Sequence, residues 1–199
     1  MRLTPEELNG YMEKWDEQTK ASLLQRREGR FRRDVLEHFS REETRILEAA
    51  LARMIPQGPD ENIDLAGFVD WAVGKPLGRG DRREGLPPEE VLFRRGIGGI
   101  QETSREMFRT DFTALSEDRQ DEVLAALQEG SAKGETWREI PSRQFFVKLL
   151  MKALTGYCSH PLAWMRMGFP GPSYPEGYVW IRQSEIRARR SHFPGWKTL

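Results

Sequence analysis

The residues best equipped for chemistry are three histidines, one cysteine, a glycine cluster, paired glutamates and an arginine run. His38, His160 and His192 lie far apart in the chain. None has a partner at the H-x-x-x-H spacing that puts two ligands on one helix face, so no metal site is expected. Cys158 is the single cysteine, which excludes an intramolecular disulfide and a C-x-x-C redox pair. Pairing it with His160 as nucleophile and base fails on geometry, since residues two apart do not share a helix face. A buried or semi-buried structural thiol is expected instead. Gly96-Ile97-Gly98-Gly99 lacks the lysine of a phosphate loop and follows no strand, so it reads as small residues that let helices approach closely. Glu42/Glu43 and Glu89/Glu90 fall in helical first turns, where the macrodipole favours negative charge. Arg187-Ala188-Arg189-Arg190 is short and reads as a solvated or partner-facing basic tail. The sequence therefore offers no catalytic, cofactor-binding or metal-ligating residue set.

The scaffold behind these residues is a chain of 199 residues and 23.1 kDa, the length of a single domain with one core. Its 31 basic and 31 acidic residues cancel, which argues against a whole-domain polyanion binder and leaves charge to local patches. From Glu117 to Glu129 one arginine stands against five acids, and from Arg182 to Leu199 five basic residues stand against one acid. No run approaches the roughly 18 apolar residues that cross a bilayer, so direct membrane insertion is not expected.

Periodicity predicts helices throughout. Thr4-Pro5-Glu6-Glu7 and Ser40-Arg41-Glu42-Glu43 are capping boxes; after the second, Ile46, Leu47, Ala50, Leu51 and Met54 recur at helical spacing up to Pro56. Leu65, Phe68, Val69 and Ala72 form the next stripe, ended by Gly74 and Pro76, and Leu77 to Gly85 is a charged loop. Phe93, Ile97, Ile100, Ser104 and Met107 share one face of a helix opened by Pro87-Pro88, with Phe112 and Leu115 after it. Val123, Leu124 and Leu127 face inward from a helix that Gly130 closes. Pro141-Ser142 opens the most apolar helix, carrying Phe145, Phe146, Leu149, Leu150, Ala153 and Leu154, which is expected at the centre of the core. Beyond Thr155 prolines and glycines alternate with aromatics, and the only hint of a strand lies around Tyr178 to Ile181. The predicted fold is all-α, a single-domain helical bundle over 1–155 with a long irregular Pro/Gly/aromatic-rich C-terminal segment over 156–199.

Several stretches carry a family likeness. They are Trp15-Asp16-Glu17-Gln18-Thr19, Arg53-Met54-Ile55-Pro56, Leu65-Ala66-Gly67-Phe68-Val69-Asp70 and Asp111-Phe112-Thr113-Ala114-Leu115-Ser116. The most specific is Gly156-Tyr157-Cys158-Ser159-His160-Pro161-Leu162-Ala163-Trp164, followed by Met167-Gly168-Phe169-Pro170-Gly171-Pro172 and Tyr174-Pro175-Glu176-Gly177-Tyr178. With these the chain resembles the gluconate 2-dehydrogenase subunit 3 family, small subunits that accompany FAD-dependent GMC-type sugar and alcohol dehydrogenases, in a subgroup without a leader peptide. The resemblance implies a helical accessory subunit without a cofactor of its own. FAD and the catalytic residues would lie in the large subunit, with a cytochrome or other electron carrier as a further member of the complex.

On that reading the aromatic tail lies on the large subunit through Trp164, Phe169, Tyr174, Tyr178, Trp180 and Trp196, residue types enriched at interface centres. For each, packing on the chain's own helices is the competing expectation. Two rivals come from other classes. One is an enzyme built from Tyr157, His160 and scattered carboxylates; the other is a regulatory or nucleic-acid-binding module using Arg182 to Arg190, against which the lack of a helix-turn-helix pattern counts. As written, the chain reads as cytoplasmic, with periplasmic location by co-export with the partner as the alternative.

Overall fold

The computed structural model describes residues 10, 12–13, 15–27, 35–58, 62–75 and 86–169. Helices dominate, and no strand occurs among the described residues. Helix α1 (Glu17–Arg27) begins where Asp16 accepts the Thr19 N–H at 2.9 Å. Helix α2 (Arg41–Met54) follows Ser40 with both arms of its capping box made, Glu43 N–H to Ser40 Oγ at 3.2 Å and Ser40 N–H to Glu43 Oε2 at 2.7 Å. Helix α3 (Leu65–Val73) is capped by Asp64 and buried on nearly every side. Helix α4 (Glu89–Phe108) is the longest, and a single 3-10 turn at Phe112–Ala114 leads from it to α5 (Glu117–Glu129). Gly130 ends α5 at φ 82°, the left-handed conformation its position predicts.

The remaining helices are α6 (Thr136–Glu139), α7 (Ser142–Cys158) and α8 (Pro161–Met167). Helix α7 is the hub, packed against α3 and α5 and touching α4 and α8, as its apolar composition predicts. Phe145 and Ala153 on α7 are fully buried, as are Leu47, Phe93, Ile97, Ile100, Phe112 and Leu127 elsewhere in the same core. Each such large side chain contributes about 1.5–3 kcal/mol by leaving water.

Close approach explains Gly96 and Gly99 of the glycine cluster, whereas Gly98 faces open space. A Cβ on Gly96 would sit 2.2 Å from the Phe145 ring, and one on Gly99 would sit 2.4 Å from Trp137. Those rings lie directly on the α4 backbone, which is the packing role expected of the cluster.

Three differences from the sequence reading have physical causes. Met107, expected on the buried face of α4, is exposed: it lies in the last turn, past Ser104, the last buried residue of that helix. The segment after Thr155, expected to be irregular, is helical as far as Met167 apart from the break at Ser159 and His160. Pro161 there starts a helix instead of preventing one: it occupies the first helical turn, His160 caps it, and Gly168 closes it at φ 68°. Cys158 is exposed at the end of α7, not buried. The Thr4 capping box, the charged loop from Leu77 to Gly85, the strand hint and residues 170–199 lie outside the described residues.

Candidate partner interface

Among the described residues, several of the stretches that carry the family likeness are sites where one helix is tied to another. Asp70 is 1 % exposed in α3, and its carboxylate accepts backbone N–H groups from Glu37 at 2.7 Å, His38 at 3.0 Å and Phe39 at 2.8 Å. Successive amides of this kind form an anion cradle. Here they fasten the approach to α2 onto α3, and Arg94 of α4 joins the tie by donating to the His38 carbonyl.

Asp111 and Phe112 are held just as closely. Gln101 donates to Asp111 Oδ1 at 2.6 Å and accepts the Phe112 N–H at 2.9 Å, while Gln120 donates to the Phe112 carbonyl at 3.0 Å. Two buried amides thus link α4, the 3-10 turn and α5. Arg53 at the end of α2 grips Asp121 through two hydrogen bonds, at 2.8 and 2.6 Å, and also pairs with Glu117. The hydrogen bonds to Asp121 raise the arginine's already high pKa further and hold the Asp121 carboxyl below the usual range.

The Gly156-to-Trp164 stretch closes the far end of the bundle. Trp164 Nε1–H donates to the Cys158 carbonyl at 2.7 Å, and His160 Nδ1 accepts the Leu162 N–H at 3.2 Å. One ring nitrogen of His160, Nδ1, is therefore taken up as a helix cap. Among the described residues no group of three or more His, Cys, Asp or Glu side chains could hold a metal ion.

Trp164 is 6 % exposed and packs with Trp15 and Leu23, joining α8 to α1. Phe169 stands edge-on to it, ring centroids 5.4 Å apart, and is partly buried in the same cluster. The structure thus brings Trp164 and Phe169 together and turns Trp164 onto the chain's own helices, the competing expectation for that residue. Tyr174, Tyr178, Trp180 and Trp196 lie outside the described residues, as does the Arg182 to Arg190 segment.

Sequence reasoning did not pair Trp15 with Trp164, since nothing local links positions so far apart. It also passed over α6, where Glu102 of α4 accepts the Glu135 and Thr136 N–H groups at 2.7 and 3.0 Å and Trp137 donates to Thr103 Oγ1 at 2.7 Å. Partial burial pushes the Glu102 pKa up, but the two backbone donors outweigh it and leave the carboxyl below its usual value.

One surface remains unaccounted for by these ties. Between α3 and α7 lies a half-open groove of about 500 Å³, walled by Phe68, Trp71, Val147 and Met151. Lys75 stacks over Trp71 at 5.3 Å, and Lys152 is buried beside the groove in a 2.7 Å ion pair with Glu89.

The architecture is that of an all-helical domain whose distinctive polar residues are spent on joining helices. The chain belongs to the gluconate 2-dehydrogenase subunit 3 family, whose model matches residues 41–171, well over half its length. The match begins at α2 and takes in the Asp70, Asp111 and Trp164 ties. No curated protein and no solved structure matches the chain at a significant level. No helix among the described residues is long and apolar enough to cross a membrane.

Proposed function

We propose that this chain is a non-catalytic small subunit of a flavin-dependent GMC-type sugar or alcohol dehydrogenase, stabilising or assembling the FAD-bearing large subunit. The family, named for a subunit of gluconate 2-dehydrogenase, supplies the class of complex. The observation that carries the accessory role is the use of the family-like residues: Asp70, Asp111, His160 and Trp164, with Gln101 beside Asp111, each direct polar atoms to the chain's own backbone or to one another. An active site presents such groups toward a substrate; here they are occupied in building a rigid helical body. On this reading the chain carries no cofactor, the flavin belongs to the large subunit, and a cytochrome or other carrier takes the electrons onward.

The test is co-expression with the flavoprotein of the same complex. Light scattering should give the mass of a complex, and the large subunit made without this chain should carry less FAD or precipitate. An isolated chain that oxidises sugars with an artificial electron acceptor, or a flavoprotein that folds, loads FAD and ignores this chain, overturns the reading.

A further inference from the structure

Helix α7 is the hub of the described helices, yet one of its faces is left unfinished. Val147 is 39 % exposed and Met151 58 %, one helical turn apart on the face that lines the groove against α3. The other exposed large apolar side chains among the described residues, such as Leu24, Val35, Val91 and Met107, lie elsewhere and do not line the groove. Phe68 and Trp71 complete the wall, their ring centroids 5.9 Å apart. Methionine and tryptophan beside a concavity suit recognition of a partner side chain, because one adapts its shape and the other buries a large rigid area.

The electrostatics of the groove narrow the choice of partner. Three lysines line it, Lys75, Lys148 and Lys152, against one carboxylate, Glu89, which is already paired with Lys152. Among the described lining residues positive charge is in excess, and a second copy of this chain would bring the same lysines against themselves. A basic segment would be repelled; an apolar side chain flanked by carboxylates would be drawn in and held.

Resting on the accessory-subunit reading above, we infer that the α3–α7 groove seats the flavoprotein subunit, accepting an aromatic or long aliphatic side chain whose neighbouring carboxylates meet the lysines. The docking face is then the exposed stripe of α7, and the Trp164 cluster at the α1–α8 end serves to hold the small subunit together.

The experiment measures affinity of the full-length chain for the cognate FAD-dependent large subunit, with three variants. Met151→Asp should weaken binding by about thirtyfold or more, as expected where a central apolar anchor is lost. Lys75→Glu should weaken it and flatten its dependence on salt. Met107→Asp, at a 38 % exposed site on α4 away from the groove, should leave it unchanged. Thermal melting followed by circular dichroism should match wild type for all three. Wild-type binding that Met151→Asp leaves intact, or that Met107→Asp weakens equally, overturns the groove alone. A change confined to self-association of the isolated chain also overturns it. Failure of the wild-type chain to bind the flavoprotein overturns the accessory reading itself.

Discussion

Replacing Asp70 with alanine should cost the domain more stability than any other single polar substitution. Its carboxylate is 1 % exposed and accepts three backbone N–H groups at 2.7 to 3.0 Å. Hydrogen bonds to a charged group contribute about 1.5–3 kcal/mol each in net terms, so three would sum to several kcal/mol. Desolvation of the carboxylate offsets part of that. After truncation water can reach the amides of Glu37 and His38, which lie in partly exposed positions, whereas Phe39 is buried and its N–H is left without an acceptor. The expected loss is about 3–4 kcal/mol, a large part of the 5–15 kcal/mol typical of a whole domain. For a chain of this size it corresponds to a fall in Tm of about 6–16 °C. Urea titration followed by far-UV circular dichroism gives the free energy, and amide exchange at residues 37–39 gives its location. Asp70→Asn, which keeps one acceptor oxygen, should fall between wild type and Asp70→Ala. A loss below about 1 kcal/mol for the alanine variant, or exchange at 37–39 no faster than in wild type, refutes the anchoring argument.

Three further outcomes follow from named contacts. Gly96→Ala puts a methyl 2.2 Å from the Phe145 ring and should destabilise by about 1–3 kcal/mol through forced repacking, whereas Gly98→Ala, which faces open space, should be neutral or stabilising by urea midpoint. Glu102 has a folded pKa below its ordinary 4.5, so the stability it contributes is fully present above that value and is lost as pH falls through the folded pKa. Glu102→Gln should therefore lower the urea midpoint at neutral pH and narrow its gap to the wild type in acid; a gap that widens as pH falls contradicts the sign. Trp164→Ala should cost about 3–5 kcal/mol in the isolated chain. A double-mutant cycle with Trp15→Ala should show coupling of at least about 0.5 kcal/mol, and strict additivity would deny that the two indoles pack on each other.

How much of this could be read from the sequence depended on how local the signal was. The Ser40 capping box and the Phe145/Leu149/Ala153 stripe carry their information within a few residues, and the structure places both as their spacing predicts. Pro161 and Gly168 were visible but ambiguous, since the same residues that break helices also start and close short ones; only His160 as a cap decides the matter. Met107 had the right spacing, but periodicity is blind to where burial stops along a helix, and in α4 it stops at Ser104. Asp70 left a legible clue: a lone carboxylate within the apolar run Leu65–Val73 has to find donors, because an unpaired buried charge is too costly to keep. Which donors it finds depends on residues more than thirty positions away, and no local pattern reports that. The Trp15–Trp164 contact is longer in range still.

The same distinction bears on where function can reside. Residues that tie helices together are constrained from several sides at once: Asp70 by three amides, Gln101 by a carboxylate and an amide, Trp164 by a carbonyl and a second indole. Such groups fix a shape, and a fixed shape is what the proposed accessory role calls for, because a pre-organised surface loses little entropy on binding. The side chains that meet a partner are then those left unconstrained by the fold, and Met151, with more than half its surface open in the middle of the central helix, fits that description better than the buried Trp164. Substitutions at the ties should lower stability and complex formation together, whereas substitutions at Val147 or Met151 should lower complex formation alone. Measuring both quantities on the same variants separates the residues that shape the subunit from those through which it acts.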